Sequence, residues 1–380
     1  MPLFYLISHY SNLPFRAWEQ RKLGKEVENV ATGRSTFFTS IEQSSETPYA
    51  VLGSTSVISY DKNFDHSGDF ILTARVGANA GNLYKYSGDV KISDNTVYIQ
   101  AKSLDFVYYL LNKFDLKRLS FGTGQPLVKA SELKNLKLMF PNDEEEQQKI
   151  GKFFKYLDDT IALHQRKLDA LKLMKKGFLQ QMFPKIEADI PEIRFADFDG
   201  KWEQRKLGEI FNERSERSAD GELISVTINS GVVKASKLEK KDNSSFDKSN
   251  YKVVKKGDIA YNSMRMWQGA SGYSSYDGIL SPAYTVIYPR KDIDTIFIAY
   301  MFKKIDMIQT FQRNSQGLTS DTWNLKFPSL STIKIKIPAN DEQIKITNLF
   351  QKLEYTSILH QNQIEMLKKV KKAYLQTMFI

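Results

Sequence analysis

The chain repeats its own framework around segments that do not repeat. The heptapeptide Trp-Glu-Gln-Arg-Lys-Leu-Gly occupies residues 18–24 and returns unchanged at residues 202–208. Residues 164–183 return as residues 360–379 with ten of twenty positions identical, and most of the others are conservative replacements. Because the stretches between these markers diverge, we expect two similar frames that carry two different inserts.

Composition narrows the class of protein. The 380 residues have room for two to three domains with proper cores. A net charge of +10 favours polyanionic partners, although a soluble protein with spare lysines fits it equally well. The absence of cysteine excludes disulfides, thiolate nucleophiles and cysteine metal sites. No apolar run could span a membrane and the amino terminus lacks signal-peptide features, so a cytoplasmic protein is predicted.

The two inserts share a plan of short strands and one helix. β-type runs alternate with Gly, Asn, Asp and Ser clusters, and each insert ends in an alternating strand before a proline. One helix is predicted over residues 105–114 and another over residues 296–309. The predicted strands are 49–52, 70–73, 96–99 and 136–139 in the first insert, and 251–254, 259–261, 284–288 and 333–337 in the second.

A long helix is predicted after each insert. Acidic residues begin both segments, and apolar residues then recur at steps of three and four. The shared seam favours an antiparallel coiled coil within the chain; an oligomerisation stalk between chains is the alternative, disfavoured because both partners are covalently present. The residues expected to form these spacer and partner-docking helices include Ile150, Leu157, Leu168, Leu171, Phe178, Leu353, Ile364, Leu367 and Tyr374.

The expected fold class is α+β. Two mixed α/β domains, related by a pseudo-twofold axis, are separated by two long antiparallel coiled-coil helices. The predicted divisions are a lead-in (1–17), a first mixed domain (18–140), a central helix (141–185), a linker (186–201), a second mixed domain (202–337) and a carboxy-terminal helix (338–380).

No catalytic constellation is present in the sequence. Phosphate-binding and dinucleotide-binding glycine loops are missing, so a stand-alone nuclease or methyltransferase is disfavoured. Of the four histidines, His164 and His360 occupy the same position of the repeated helix, which indicates a structural role and no metal site. We therefore expect neither catalytic residues nor a cofactor on this chain.

The duplicated frame closely resembles the specificity subunits of type I restriction-modification systems. The resemblance rests on the two heptapeptides, the two closing helices and the order of smaller motifs between them. Those motifs are the segments 122–128 and 133–136 in the first half, and 315–318, 323–326, 338 and 341–343 in the second.

The resemblance implies a reader of DNA without an active site of its own. Each mixed domain would be a target recognition domain for one half of a bipartite, asymmetric site in double-stranded DNA. The helices would set the spacer and dock two methyltransferase subunits, which bind S-adenosylmethionine and methylate adenine at N6. Motor-nuclease subunits would complete the restriction enzyme. Two alternatives remain: the recognition subunit of a fused nuclease-methyltransferase, and a non-catalytic coiled-coil adaptor.

Polar and aromatic residues on loops are the candidates for DNA contacts, since such side chains bind base edges and phosphates. The segment 75–82 is polar, glycine-rich and follows a strand, as a loop that faces DNA would. For Trp267, core packing is an equally good interpretation. The predicted contacts are Arg34, Arg75, Asn79, Asn82, Tyr84, Lys85, Thr123 and Gln125 in the first domain, and Asn262, Arg265, Trp267, Gln268, Tyr273, Arg313, Asn314, Ser315, Gln316 and Thr319 in the second.

Overall fold

The computed structural model describes residues 17–36, 39–120, 126–238, 245–320 and 322–379. These residues form two compact units. The first unit comprises residues 17–166 together with 361–379, and the second comprises Lys167–His360. Each of the two longest helices therefore contributes one half to the first unit and the other half to the second.

The first unit begins with a mixed domain and continues into a long helix. Its strands are β1 (Trp18–Lys22), β2 (Asn29–Thr32), β3 (Tyr49–Leu52), β4 (Val57–Asp61), β5 (Asp69–Ala74), β6 (Leu83–Ser87), β7 (Val90–Ile92), β8 (Thr96–Gln100) and β9 (Lys137–Pro141). The helices in this part of the chain are α1 (Leu23–Glu26), α2 (Leu104–Phe114), α3 (Ala130–Asn135) and α4 (Glu144–Gln181), with a 3-10 turn at Leu116–Ser120.

The second unit repeats this order. Its strands are β10 (Glu203–Lys206), β11 (Phe211–Glu213), β12 (Ile224–Thr227), β13 (Gly231–Lys234), β14 (Lys252–Val254), β15 (Ile259–Asn262), β16 (Ser271–Tyr273), β17 (Gly278–Leu280), β18 (Tyr284–Pro289) and β19 (Lys334–Ile337). The helices are α5 (Leu207–Ile210), α6 (Thr295–Met301), α7 (Ile305–Asn314), α8 (Phe327–Ser331) and α9 (Asn340–Thr377), with 3-10 turns at Ala235–Lys237 and Met266–Gln268.

The main sheets of the two units have the same topology. The strand order is β2-β8-β5-β6 in the first unit and β11-β18-β15-β16 in the second, and every neighbouring pair is antiparallel. The smaller sheets differ. In the first unit β3 pairs parallel with β7, whereas β12-β13 and β14-β17 in the second unit are antiparallel pairs. The framework is thus repeated in fold, and the divergence is concentrated in the peripheral strands and loops.

The repeated heptapeptide joins each mixed domain to the strand that precedes its long helix. β1 pairs antiparallel with β9, and β10 pairs in the same way with β19. The leucine of each copy is completely buried. A Cβ on Gly24 would lie 3.0 Å from the Lys134 carbonyl oxygen, and one on Gly208 would lie 2.9 Å from Ser331 Cβ. Glycine is required in both copies because another segment approaches the backbone closely.

The two long helices run antiparallel within each unit. In the first unit Phe153 contacts Tyr374, with ring centroids 5.2 Å apart, and Asp158 pairs with Lys371. The residue number rises along α4 as it falls along α9, which defines the antiparallel direction. In the second unit the ion pair Lys175–Glu354 occupies the equivalent position of the repeat. Each helix has 38 residues, or about 57 Å at 1.5 Å per residue.

An aromatic cluster in the first unit holds three distant parts of the chain together. Phe379 is 1% exposed, and its ring centroid lies 6.2 Å from Trp18, 5.4 Å from Phe106 and 5.5 Å from Phe154. These partners belong to β1, α2 and α4 respectively. Aromatic rings at these separations are favourable in edge-to-face and offset arrangements, in addition to the burial of their area.

The second unit contains the equivalent cluster. Phe183 is 2% exposed, and its ring centroid lies 6.1 Å from Trp202, 5.1 Å from Phe297 and 6.2 Å from Phe350. The repeated Met-Phe at the end of each helix segment therefore has the same packing role in both units. The repeated tryptophan joins the cluster in each case, so the heptapeptide connects each mixed domain to the long helices.

Most sequence predictions of the fold are confirmed. The predicted strands of the inserts all exist, with bounds shifted by one or two residues, and the long helices begin and end within a few residues of the expected positions. The α+β class with antiparallel long helices is confirmed. The single helix predicted over residues 296–309 is wrong. It is interrupted before Ile305 because Lys304 adopts an extended backbone and its ammonium group donates to the Pro184 carbonyl at 2.6 Å.

We predict that Phe379→Ala lowers the free energy of unfolding of the first unit by about 3–5 kcal/mol, because it removes a buried ring from the aromatic cluster. Denaturant unfolding with far-ultraviolet circular dichroism measures this. Phe246→Ala is the matched control, since Phe246 is fully exposed and its loss should change stability by less than about 0.5 kcal/mol. Equal effects of the two substitutions would contradict the structural role of Phe379.

Candidate nucleic-acid interface

The loop between β5 and β6 (residues 75–82) presents polar side chains on a fixed backbone. The Arg75 carbonyl accepts from the Val128 amide at 2.8 Å, and the Gly77 amide donates to the Pro126 carbonyl at 3.0 Å. Gly81 has a φ of 86°, and a Cβ there would lie 2.7 Å from the Lys117 amide nitrogen. Backbone contacts therefore hold this loop, while the side chains of Arg75 and Asn79 are exposed.

The loop between β15 and β16 (residues 263–270) is its equivalent in the second unit. The Ser263 carbonyl accepts from the Leu325 amide at 2.8 Å, and the Asn262 side-chain oxygen accepts from the Met264 amide at 3.0 Å. Met266 is completely buried under the turn. Gly269, with a φ of 82°, returns the chain to β16.

The two loops occupy the same place in two equivalent sheets. Each connects the last two strands in the sheet order, and each accepts one backbone hydrogen bond from the segment before α3 or α8. The seventh residue of each loop is a glycine of positive φ. The eight residues of one loop match those of the other only at that glycine, Gly81 or Gly269. Loops in equivalent places therefore carry different exposed side chains.

A second loop lies beside the β15–β16 loop. Residues 316 and 324 are joined by two backbone hydrogen bonds of 3.0 and 2.8 Å, and Gly317 has a φ of 146°. The rings of Trp267 and Trp323 lie 5.1 Å apart, edge to face, and connect the two loops. Residue 321 lies outside the described residues, as do Thr123 and Gln125 of the first domain.

The structure brings together many of the predicted contacts of the second domain. Arg265 and Gln268 share the β15–β16 loop and are 3.4 Å apart between Nη1 and Oε1, while Arg313, Gln316 and Thr319 are exposed on α7 and the loop after it. Asn314 and Ser315 donate to the helix carbonyls of Thr310 and Phe311, each at 2.8 Å. These two residues therefore contribute to the end of α7.

Other predicted contacts lie away from the two loops or are engaged within the protein. Arg34 is exposed after β2. Tyr84 donates from its hydroxyl to the Gly53 carbonyl at 2.5 Å, and burial raises the pKa of Tyr84 well above its usual range. Lys85 forms an ion pair with Asp105 at 2.5 Å. Trp267 is half-buried, and its indole donates to the Met264 carbonyl at 3.0 Å.

Asn82 is half-buried and donates from its side-chain amide to the Asn79 side-chain oxygen at 3.2 Å, within the β5–β6 loop. Tyr273 is half-buried on β16 and lines a cavity of about 380 Å³, together with Lys303 and Tyr300. Neither location tests a contact with DNA, and both assignments stay predictions.

Sequence reasoning missed three residues of the second-unit loops. Met264 and Leu318 are apolar yet exposed, Leu318 completely. An apolar residue between polar ones in the sequence is more readily assigned to the core. The sequence predicts Lys303 within a continuous helix over residues 296–309. Its ammonium group instead donates to the carbonyls of Gly269 at 2.6 Å and Ile228 at 3.2 Å, and so fixes the end of the β15–β16 loop. No local pattern marks contacts over such sequence distances.

Within the described ranges, no group of three or more carboxylate or imidazole side chains is arranged to hold a metal ion. The same part of the chain contains no helix that is both long enough and apolar enough to cross a membrane.

The two loops offer hydrogen-bond donors and acceptors together with arginine charge, which is the chemistry of base-edge and phosphate binding.

Comparison with known families identifies this arrangement. The model of the type I restriction modification DNA specificity domain matches residues 16–173 and, a second time, residues 199–369. The chain therefore belongs to the type I restriction-modification DNA specificity family, whose members are non-catalytic DNA-recognition subunits. Each match spans one mixed domain and most of the long helix after it, in agreement with the repeat.

Individual relatives agree with this family. The chain is 24% identical over 335 residues to the type I restriction enzyme MjaVIII specificity subunit of Methanocaldococcus jannaschii, covering 78% of this chain and 75% of that protein. It is 30% identical over 125 residues to the MjaIX specificity subunit of the same organism, which covers 30% of this chain and 29% of that protein. The crystal structure of a type I system S subunit from M. genitalium has the same fold, with a TM-score of 0.64, 17% identity and coverage of 97% of this chain and 98% of that one.

We predict a pH dependence of stability that originates at Lys303. Burial, and then the charge of Lys175, lowers the pKa of Lys303 from 10.5 to about 8. Between these two values the unfolded chain holds a proton that the folded chain has lost, so the free energy of unfolding of the second unit should rise with pH in this window. Denaturant unfolding at about pH 7, 8.5 and 10 measures the rise.

Lys303→Met should lack this contribution, because methionine does not titrate. Lys201→Met is the control, since Lys201 belongs to the same unit and its side chain is 75% exposed. The control should keep the wild-type pH dependence. A rise of the same size in Lys303→Met would show that other groups produce it.

Proposed function

We propose that each mixed domain binds one half of a bipartite, asymmetric DNA site and contacts bases through the loop between the last two strands of its main sheet. One observation carries the proposal: the β5–β6 and β15–β16 loops occupy equivalent places and present different exposed side chains. Equivalent frames with different contact residues suit two different half-sites, as identical subunits suit a palindrome. The net charge of +10 suits the phosphate backbone.

The long helices are proposed to set the spacer between the half-sites and to dock two methyltransferase subunits. In the second unit the helix pair exposes large apolar side chains, among them Leu173 at 71%, Tyr355 at 64% and Ile358 at 58%. Exposed apolar residues in this number are typical of a surface that a partner covers. The partners would carry S-adenosylmethionine and methylate adenine at N6, and motor-nuclease subunits would join the same complex.

Single-molecule methylation mapping tests this function. DNA is mapped from cells that produce the cognate methyltransferase subunit with and without this chain. The expected result is a gapped, asymmetric N6-methyladenine motif that depends on the chain. A stable complex with the methyltransferase but no motif would favour a coiled-coil adaptor. A nuclease and methyltransferase fused in the partner polypeptide would favour the recognition subunit of a fused system.

We predict that Arg75→Ala weakens recognition of the first half-site by about 1–3 kcal/mol, because arginine can bind guanine through two hydrogen bonds. Binding is measured on duplexes with the mapped site and with substitutions at each position of either half. Arg166→Ala is the control, since Arg166 has the same charge and is exposed on α4, outside the loop. An equal loss on all duplexes would assign Arg75 to a phosphate.

We predict that four extra residues after Leu168, matched by four after Ile364, lengthen the preferred spacer by roughly one to two base pairs. One helical turn adds about 6 Å, and the insertion in both helices preserves their pairing. Methylation mapping of the variant gives the new spacer. Half-site sequences should stay the same, and an unchanged spacer would contradict a spacing role for the helices.

A further inference from the structure

A three-residue polar cluster connects the mixed domain of the first unit to both long helices. Tyr109 of α2 donates from its hydroxyl to Asp158 of α4 at 2.7 Å, and Lys371 of α9 donates to the other oxygen of that carboxylate at 2.5 Å. The Lys371 ammonium also lies 5.2 Å from the centroid of the Tyr109 ring. Each member therefore contacts the other two, and each comes from a different helix.

The second unit brings together the same residue types, with glutamate in place of aspartate. Lys175 of α4 pairs with Glu354 of α9 at 2.6 Å, and its ammonium lies 5.6 Å from the centroid of the Tyr300 ring on α6. Burial, and then the Glu354 carboxylate, raises the pKa of Tyr300 above its usual range. The long helices exchange roles between the units: α4 supplies the carboxylate in the first and the lysine in the second.

The tyrosine of each cluster is buried. Tyr109 is 1% exposed and Tyr300 is 9% exposed, whereas the lysines and carboxylates reach the surface. A buried hydroxyl requires a hydrogen-bond partner, and a carboxylate partner gives a stronger bond than a neutral one. The Tyr109 hydroxyl therefore favours one position of α2 relative to the Asp158 carboxylate on α4.

A second lysine in each unit joins the cluster to the candidate DNA-contacting loop. In the first unit Lys85, on the strand after the β5–β6 loop, lies 5.6 Å from the Tyr109 ring and pairs with Asp105. In the second unit Lys303 donates to the Gly269 carbonyl at the end of the β15–β16 loop and lines the same cavity as Tyr300, Lys175 and Glu354. Each of these lysines therefore lies between the cluster of its unit and the loop, or the strand after the loop, that carries the candidate DNA contacts.

We propose that Tyr109–Asp158–Lys371 and Tyr300–Glu354–Lys175 are positioning residues that fix the angle of each mixed domain on its helix pair and so restrict the complex to one spacer length. This inference rests on the proposed function, because spacer length has meaning only for a two-part site. These residues are proposed to touch neither base nor phosphate. They act on the spacing between half-sites and leave the sequence preference of each half unchanged.

The test is a spacer profile of the full chain in complex with its methyltransferase subunit. Duplexes carry the two mapped half-sites with spacers from about two base pairs shorter to two longer than the mapped one, and methylation rates are compared. The variants are Tyr109→Phe, Tyr300→Phe and Asp158→Asn. Asp159→Asn is the matched control, because Asp159 is adjacent but pairs with Lys155 one turn away on α4 and its side chain is 66% exposed. Asp158→Glu installs the carboxylate that the second unit uses.

The proposal predicts that wild type, Asp159→Asn and Asp158→Glu share one narrow profile. Tyr109→Phe, Tyr300→Phe and Asp158→Asn should each raise relative methylation at spacers one base pair off by roughly tenfold, the effect of losing one charged hydrogen bond. Thermal unfolding verifies that each variant is folded. If Asp158→Asn does not fold, the two conservative tyrosine variants decide the outcome.

An unchanged spacer profile in folded Tyr109→Phe and Tyr300→Phe, even with lower overall activity, would overturn the positioning role and leave the proposed function intact. Wild-type methylation without any two-part site would overturn the proposed function and this inference with it. Altered base preference within a half-site would also contradict the proposal, because it would place the cluster in base recognition.

Discussion

The two aromatic clusters are the contacts on which each unit is organised. In the first unit Phe379 meets Trp18 and Phe154, so the carboxy-terminal helix, the first strand and the central helix converge on one buried point. No local hydrogen bond could join segments so far apart in sequence, and burial of several rings supplies a large, non-directional stabilisation. The mixed domain and its loops are positioned because the strand that carries Trp18 is fixed there.

Residues are identical in the two halves of the chain mainly where another segment lies close to the backbone. Gly24 and Gly208 are retained because a side chain would crowd Lys134 of α3 or Ser331 of α8, and the leucine before each is buried. The β5–β6 and β15–β16 loops share one residue, the glycine of positive φ at Gly81 and Gly269. Identity is therefore kept where geometry allows one residue, and is lost where side chains point into solvent.

Much of the fold could be predicted from sequence, because apolar spacing and turn residues act locally. Such patterns predict eight of the strands, α2, the antiparallel helices and the β5–β6 loop. The break between α6 and α7 could not be predicted, since it depends on Lys303 and Lys304 reaching carbonyls 34 and 120 residues away. The Tyr109–Asp158–Lys371 cluster escaped for the same reason: its members are distant in sequence, and each is an ordinary helix residue alone.

The way the loops are held explains how such a frame could accept new specificities. The bonds that fix the β5–β6 loop run from backbone amides to backbone carbonyls, as at Val128 and Arg75, and so do not depend on which side chains the loop carries. Each such bond contributes about 0.5–1.5 kcal/mol whatever the residue. Exposed side chains can therefore change at little cost in stability, while the buried rings and glycines that set the position of the loop cannot. The side chains proposed to recognise DNA are thus different from the groups that hold the loop in place.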